Sequence, residues 1–446
     1  MIKKVLVANR GEIAVRILRT CREMKIRTVA IYSVADQDSL HVQMADEAYC
    51  IGASPARSSY LNQMAVLAAA KASGADAIHP GYGFLAENAD FARLCGKNGL
   101  IFIGPSPEAI RRMGDKETAR QTMQSAGVPV VPGTAGLVDT LDEAAAEARR
   151  IGYPVLIKAT AGGGGKGMKE AMDEESLRRL FFEAKKEAEA AFGNSGVYLE
   201  KYLQNPRHIE VQIVADQHGN VVYLGDRDCS VQRRHQKLIE EAPAGHIDEG
   251  LRRRMGRAAV AAARAAAYSG AGTVEFLVDY SKFYFLEMNT RIQVEHPVSE
   301  WVTGVDIVAM QLLAASGEVL PFSQEDIVVH GCALECRINA EDPARAFLPC
   351  PGRITACRMP GGFGVRVDSA AYPGWLIPPF YDSLIAKIIV WGADREEAIR
   401  RMQRALQELV IEGITTTAPF QYKIISHPMF IQGTFDTGFL TKYHLE

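Results

Sequence analysis

The sequence predicts a protein of the α/β and α+β classes with a parallel α/β unit in its N-terminal third. Three observations carry that expectation. Apolar runs alternate with amphipathic helical patterns over residues 3–114, the rhythm that builds a parallel sheet. A nearly all-glycine segment, 161–167, follows a β run and belongs to a compact, lid-sized module. Beyond it, strands with alternating faces and an Ala/Arg-rich helix lead into mixed α and β structure.

The elements follow in order. Residues 3–8, 28–33, 76–79 and 100–104 read as strands, and 12–24 as a helix with Ile13, Ile17 and Cys21 on its apolar stripe and Arg16, Arg19, Arg22 and Glu23 off it. The first turn, Asn9-Arg10-Gly11-Glu12, lacks the GxGxxG fingerprint, so the ligand need not be a dinucleotide. A helix from Asp115 to near Gly127 leads into 128–133, where Pro129 and Pro132 predict an extended, hinge-like connection. The module comprises a strand at 153–159, the glycine segment, a helix at 174–191 and a strand at 197–202. Strands at 209–215 and 221–226, a helix at 251–268 and strands at 273–279 and 283–289 complete the middle of the chain. Domain limits are expected at 1–114, 115–330 (with a lid over 131–203) and 331–446.

Composition bounds the function. The chain has 446 residues, and at about 150 residues per domain that suggests about three domains, each able to bury a core without disulfide or metal staples. Fifty Lys and Arg against 53 Asp and Glu give a net charge of -3, which gives no general call for nucleic acid. Arg252, Arg253, Arg254, Arg257 and Arg264 read as a solvated helix face, since no stacking aromatics interleave. Eight cysteines show neither CxxC pairs nor zinc-site spacing, and Cys332 and Cys336 read as core thiols; a reducing cytoplasm is expected. The first ten residues hold too short an apolar run for a signal peptide, and no later uncharged stretch nears about 18 residues, so neither secretion nor a membrane is expected.

Three segments carry chemistry. The glycine segment, with Lys158 at the end of the strand that feeds it and Lys116 upstream, reads as a phosphate cradle or, on its own, as a surface loop. Residues 273–289 read as a hairpin. With its turn centred on Ser281, Glu275 lies opposite Glu287, and Asn289 shares that face. Directly opposed carboxylates repel unless a cation sits between them, and two oxygen ligands plus substrate phosphates suit Mg²⁺. Next, Arg291, Gln293 and Glu295 alternate onto one face if extended: an oxyanion site with its own base, or a surface Arg291–Glu295 pair.

These segments, with 8–14, 79–85 and 232–237, identify the sequence as resembling the biotin carboxylase family of ATP-grasp enzymes over essentially its whole length. The resemblance implies an ATP-grasp fold with a Rossmann-like N-terminal domain, a mobile glycine-rich lid and a C-terminal mixed α/β domain. It implies ATP- and bicarbonate-dependent carboxylation of biotin through carboxyphosphate. Lys116, Lys158, Gly163, Gly164, Gly165, Met168, Glu200, Lys201, Leu203, His208, Gln232 and His235 then correspond to the ATP site. Glu275 and Glu287, with Asn289 beside them, correspond to the ligands of Mg²⁺ or Mn²⁺. Lys237, Arg291, Gln293 and Val294 correspond to the bicarbonate site, Glu295 to the base, Arg337 to the group facing the biotin ureido oxygen, and Tyr82 to a wall of the biotin pocket.

A homodimer through Arg19, Glu23, Phe363 and Arg366 is also implied. Met168-Lys169 belongs to the glycine segment rather than to a biotin-acceptor site, since Glu170 follows. The sequence holds no lipoyl-like biotinyl domain, so biotin is expected on a separate carboxyl carrier protein that also serves carboxyltransferase subunits. The expected parent is acetyl-CoA carboxylase, in fatty acid synthesis. Propionyl-CoA or pyruvate carboxylase and a non-catalytic ATP sensor are the alternatives. Lys169-Glu170-Ala171-Met172 is more polar than the family's usual short apolar strand, which predicts slightly different lid packing.

Overall fold

The computed structural model describes residues 2–159, 168–192, 195–204 and 206–445. Gly163, Gly164 and Gly165 lie outside them. The N-terminal sheet contains β1 (Lys4–Val7), β2 (Arg27–Tyr32), β3 (Glu47–Cys50), β4 (Ala77–His79) and β5 (Ile101–Phe102), all parallel, in the order β3-β2-β1-β4-β5. Order reverses at β1, and such a switch opens a crevice beyond the strand ends. The turns after β1 and β4 meet there: Asn9 Nδ2 donates to the carbonyls of Pro80 and Tyr82 at 2.7 Å each. Gly81 is required at that contact, because its φ is +62° and a Cβ would lie 2.9 Å from Asn9 Nδ2.

Two N-terminal details depart from the sequence reading. β3 has no apolar run; it is an edge strand whose residues are half-buried or exposed, so no pattern announced it. Arg16 is not on a solvated face. Helix α1 (Gly11–Glu23) packs between the sheet, helix Ile307–Ala315 and strand Val365–Ser369, and Arg16 is buried against Glu300 at 2.8 Å and Asp306 at 2.9 Å. It follows Ile13 by three positions, so the apolar stripe was wider than its three named residues.

The module expected as a lid packs β7 (Met168–Ala171), β6 (Val155–Ala159) and β8 (Val197–Lys201) as a three-stranded antiparallel sheet, counting β6 to β8 in chain order, against helices Leu141–Ile151 and Glu174–Phe192. The polar segment after the glycines is the edge strand β7, which explains its composition. Ala171 points inward, Lys169 bonds Glu187 at 2.7 Å, and Glu170 is exposed, as suits an edge that must not pair further. The connection through Pro129 and Pro132 is tied at both ends: Phe285 N donates to Pro129 O, and Lys201 N to Pro132 O, both at 2.7 Å.

The central sheet has eight antiparallel strands. In sheet order β13 (Lys282–Asn289), β12 (Gly270–Asp279), β9 (Arg207–Ala215), β10 (Val221–Arg233), β11 (Gln236–Ala242) and β14 (Cys332–Asn339) are followed by strands Leu384–Gly392 and Val365–Ser369. Helix Glu249–Ala265 covers one side through Leu251, Met255, Ala259 and Ala262. Its arginines 253, 254, 257 and 264 are exposed, while Arg252 bonds Asp226 at 2.7 Å. Helices His296–Thr303 and Ile307–Ala315 pack on the sheet elsewhere. A third core, around Leu334, Cys336, Ile388, Met402, Phe420 and Phe439, follows toward the C-terminus. No single described helix is long and apolar enough to cross a membrane. The pair His296–Thr303 and Ile307–Ala315 qualifies only when joined across a 96° bend, and most of its residues are buried in the protein.

Two of the buried histidines weigh against stability in acid. Burial lowers His41 to about 4 and His79 to about 3. Both stay neutral in the folded protein, whereas the unfolded chain takes up protons near pH 6.5. Stability is therefore full above about pH 6.5 and falls by about 1.4 kcal/mol per pH unit per histidine as pH drops toward the folded values. The urea midpoint should fall clearly between pH 7 and pH 5.5, before most carboxylates titrate; an unchanged midpoint would show that these rings are not held neutral.

Candidate active site

The site grows from the register of four strands. Glu287 in β13 pairs with Glu275 in β12, Glu275 with Glu210 in β9, and Glu210 with Arg227 in β10, a single row across the sheet. The expected Glu275–Glu287 pairing is present, reached by a different path. The turn is Tyr280–Ser281, and Leu286, an extra residue in β13, shifts the register by one so that the glutamates still meet. Three neighbouring carboxylates repel unless cations reach them.

Lys237 supplies the central cation. It sits on β11 just past the two-residue turn Arg234–His235, where φ is +49° and +64°, values costly for side chains other than glycine. Its Nζ donates to Glu210 at 2.5 Å, Glu275 at 2.8 Å and Glu295 at 2.6 Å. Burial alone would lower the Lys237 ammonium, but these three carboxylates outweigh it and raise it well above its ordinary value. Arg227, wholly buried, donates to Glu210 at 2.5 Å, Gln212 at 2.7 Å, Gln293 at 2.9 Å, Ser299 at 3.0 Å and Thr273 at 3.1 Å. All five of its neighbours accept, which makes it the frame of the site.

Glu275 accepts from His208, Lys237 and Gln293 at 2.8 Å each and from Asn289 at 2.9 Å. Burial would raise its carboxyl, yet Lys237 and His208 hold it well below the usual range. Glu287 stands at the exposed end of the row. Among the described residues it has no hydrogen-bond donor, and partial burial with the Glu275 charge raises its carboxyl. Glu275 and Glu287 with Asn289 form an oxygen-rich set, one member of which is unpaired, and such a set fits a hard divalent cation.

Residues 290–295 bend and turn rather than extend, then enter helix His296–Thr303. The turn still sends all three predicted side chains into the cleft. Arg291 donates to Glu87 at 2.8 Å and to Asn289 at 2.9 Å, and Gln293 reaches Glu275. Glu295 accepts from Lys237 and, at 2.9 Å, from Arg337, so the simple Arg291–Glu295 surface pair is not what forms. Burial would raise the Glu295 carboxyl; Lys237, Arg337 and Arg227 override it and hold it well below the usual range. Arg337 also donates through Nε to Glu240 at 2.6 Å. The Val294 carbonyl accepts from buried Lys387 at 2.6 Å, and Lys387 lies 3.3 Å from Glu12, which accepts from the Tyr82 hydroxyl.

The other residues expected around the nucleotide form a second group. Lys158 bonds Glu200 across β6 and β8, and Met168 lies opposite Lys158 in β7. Leu203 is buried. The Lys201 amine turns away to the carbonyls of Gly152 and Tyr153, at 2.9 and 2.8 Å. Lys116 is exposed at the start of helix Lys116–Ser125; Gln232 faces Lys237 across the β10–β11 ladder, and His235 is exposed at its turn.

Sequence reading missed Glu210, Arg227, Glu240, Glu12, Glu87 and Lys387. A signal for several of them is charge inside apolar strands: His208, Glu210 and Gln212 alternate along β9, and Asp226, Arg227 and Asp228 are consecutive in β10. Charges so placed are buried only when paired.

Residues 1–110 match the family model described as biotin carboxylase, N-terminal domain, and residues 335–442 the biotin carboxylase C-terminal domain. The Bacillus subtilis protein biotin carboxylase 1 is 58% identical over 445 residues, covering 99% of each chain. The chain belongs to the biotin carboxylase family. Between those domains, residues 115–323 match the carbamoyl-phosphate synthase L chain, ATP binding domain, and the fold is that of the ATP-grasp biotin carboxylases. A pyruvate carboxylase subunit of Methanothermobacter thermautotrophicus is 55% identical, over 99% of this chain and 90% of that one. Among solved structures, the biotin carboxylase domain dimer of Hydrogenobacter thermophilus 2-oxoglutarate carboxylase, in complex with MgADP, ADP and bicarbonate, superposes with a TM-score of 0.91 at 51% identity. That match covers 100% of this chain and 98% of the other.

Proposed function

We infer that this protein carboxylates biotin on a carrier protein at the expense of ATP, with bicarbonate as the carbon source, in the first half-reaction of acetyl-CoA carboxylase. The observation that carries the mechanism is the contact of Lys237 with Glu295, Glu275 and Glu210 at once. That contact joins a base to a cation-binding edge. Bicarbonate is taken by Lys237, Arg291, Gln293 and the Val294 backbone. In the ligand-free site Glu295 is an ionised but weak base, because Lys237 and Arg337 hold its charge. An entering anion shares those cations, so the proton affinity of Glu295 rises where bicarbonate offers its proton.

The deprotonated oxygen attacks the γ-phosphorus of ATP, ADP leaves, and carboxyphosphate forms. Lys116, Lys158, His208, Gln232 and His235 are assigned to the nucleotide, with Met168, Glu200, Lys201 and Leu203 around it on the lid side. Glu275 and Glu287, with Asn289 beside them, would hold Mg²⁺ or Mn²⁺, which supplies charge neutralisation at the phosphate oxygens. Carboxyphosphate then breaks to CO₂ and phosphate, phosphate takes the biotin N1′ proton, and the N1′ anion bonds to CO₂ to give carboxybiotin. Arg337 faces the enolate-like ureido oxygen, with Tyr82 in the wall of that pocket, and lid closure over the glycine segment excludes water meanwhile.

The test is ADP release with and without bicarbonate and free biotin. Release that needs bicarbonate and rises with biotin is expected; release indifferent to both would point to an ATP-binding sensor instead. Glu287→Gln should raise the Mg²⁺ concentration needed for half-maximal ADP release while leaving the fold intact, since Glu287 is exposed. An unchanged magnesium titration would remove Glu287 from the metal site.

For the parent complex, pyruvate carboxylase is the second reading, favoured by the 55% identity to the Methanothermobacter protein. The acyl acceptor used by the carboxyltransferase that co-purifies with the biotinylated carrier decides between them. A dimer through Arg19, Glu23, Phe363 and Arg366 and a cytoplasmic location complete the proposal. Phe363 is 79% exposed, a large apolar surface for a second copy of the chain to cover.

A further inference from the structure

Behind Arg337 lie two carboxyls that the reaction does not use directly. Glu240 in β11 and Glu335 in β14 are opposed in register, and both are wholly buried. Leu238, an extra residue in β11, brings Glu240 onto the side that serves the site, three positions from Lys237. Glu240 accepts from Arg337 through Oε1; among the described residues its Oε2 has no donor, and neither oxygen of Glu335 has one.

The groups whose charges reach Glu335 are Glu240, Lys387, Arg337 and Glu295. Each cation among them is committed, Lys387 to the Val294 carbonyl and Glu12, Arg337 to Glu240 and Glu295. Helix His296–Thr303 packs over this part of the sheet. Its His296 is held by the Gln293 carbonyl and its Glu300 by Arg16 and Arg366. The remaining packing there is apolar, from Ala242, Val298, Val302, Ala333 and Ile389. Two ionised carboxyls face to face in such surroundings are strongly disfavoured. One proton resolves the arrangement. Carried on Glu335 and donated to Glu240 Oε2, it satisfies an orphaned oxygen on each residue and leaves Glu240 charged toward Arg337.

We propose that Glu335 is a protonated carboxylic acid hydrogen-bonded to Glu240, and that this pair is the positioning anchor that aims Arg337 at biotin. The second half rests on Arg337 facing the biotin ureido oxygen. Burial raises Glu335 well above its ordinary value and Glu240 to about 7, in keeping with one proton shared by the pair. With Glu335 neutral, the Arg337 guanidinium answers two carboxylates, Glu240 and Glu295. With Glu335 ionised it would answer three and have less charge to offer the substrate.

Infrared difference spectra of the intact enzyme at neutral pH, unsubstituted against Glu335→Gln, test the proton. The unsubstituted protein should show a protonated-acid carbonyl band that Glu335→Gln lacks; identical spectra overturn the proposal, whatever Arg337 does. Kinetics test the anchor. Glu335→Gln keeps a donor to Glu240 and should keep kcat/KM for free biotin near that of the unsubstituted protein. Glu335→Ala and Glu240→Gln should each lower it by about 10–100-fold with KM for ATP unchanged. Equal losses in Glu335→Gln and Glu335→Ala would overturn the anchoring role. Arg337→Ala is the separate control: if it leaves biotin kinetics intact, the assignment of Arg337 to biotin fails, while the infrared result still decides the proton.

Discussion

Replacing Glu295 by glutamine is expected to lower bicarbonate-dependent ADP release by about 10²–10⁴-fold while ATP binding stays nearly unchanged. The amide keeps the size of the side chain, and its one oxygen can still accept from Lys237 or from Arg337, so the fold should hold although one of those two contacts is lost. What it loses is the ability to take a proton, and bicarbonate without that loss is a poor nucleophile. Lys237 and Arg337 hold Glu295 low in the ligand-free site, so it is ionised throughout the neutral range. The kcat/KM for bicarbonate, which reports the free enzyme, should therefore not be limited on the acid side by Glu295 near pH 6–7. Equal losses of nucleotide binding and turnover, read by nucleotide titration and steady-state kinetics, would contradict the assignment of Glu295 as base.

Arg227→Met should be the most destabilising single change in the site, by about 3–5 kcal/mol in denaturant unfolding. The side chain is wholly buried, and its removal strands Glu210, Gln212 and Gln293 in a sheet that excludes water. Glu210 would then depend on Lys237 alone, a cation it shares with Glu275 and Glu295. Adding Glu210→Leu to Arg227→Met should recover much of the loss, because the stranded charge goes with its partner. A purely additive double variant would mean that the guanidinium acts through packing rather than charge.

The sequence made the chemistry legible where it lies along one stretch of chain. The hairpin 273–289 and the turn 290–295 hold Glu275, Glu287, Asn289, Arg291, Gln293 and Glu295 within 21 positions, so local pairing rules could bring them together. The partners that make those residues work come from other strands. Glu210 and Arg227 meet Glu275 only because β9, β10 and β12 pair in one register, and Glu240 meets Arg337 only through β11 and β14. Strand order between segments so far apart cannot be read from periodicity. The same limit hid Arg16, whose acidic partners Glu300 and Asp306 lie nearly three hundred positions away. β3 was missed for a different reason: an edge strand half open to water needs no apolar alternation.

The most direct measurement follows the oxygen. When bicarbonate labelled with heavy oxygen is turned over with ATP and free biotin, attack of its deprotonated oxygen on the γ-phosphorus must leave one labelled oxygen in the phosphate released. Mass spectrometry of that phosphate should show the label in step with ADP, and Glu295→Gln should abolish both together. Unlabelled phosphate at full turnover would mean that water, not bicarbonate, attacks ATP, and the role given to the Lys237–Glu295 pair would be wrong.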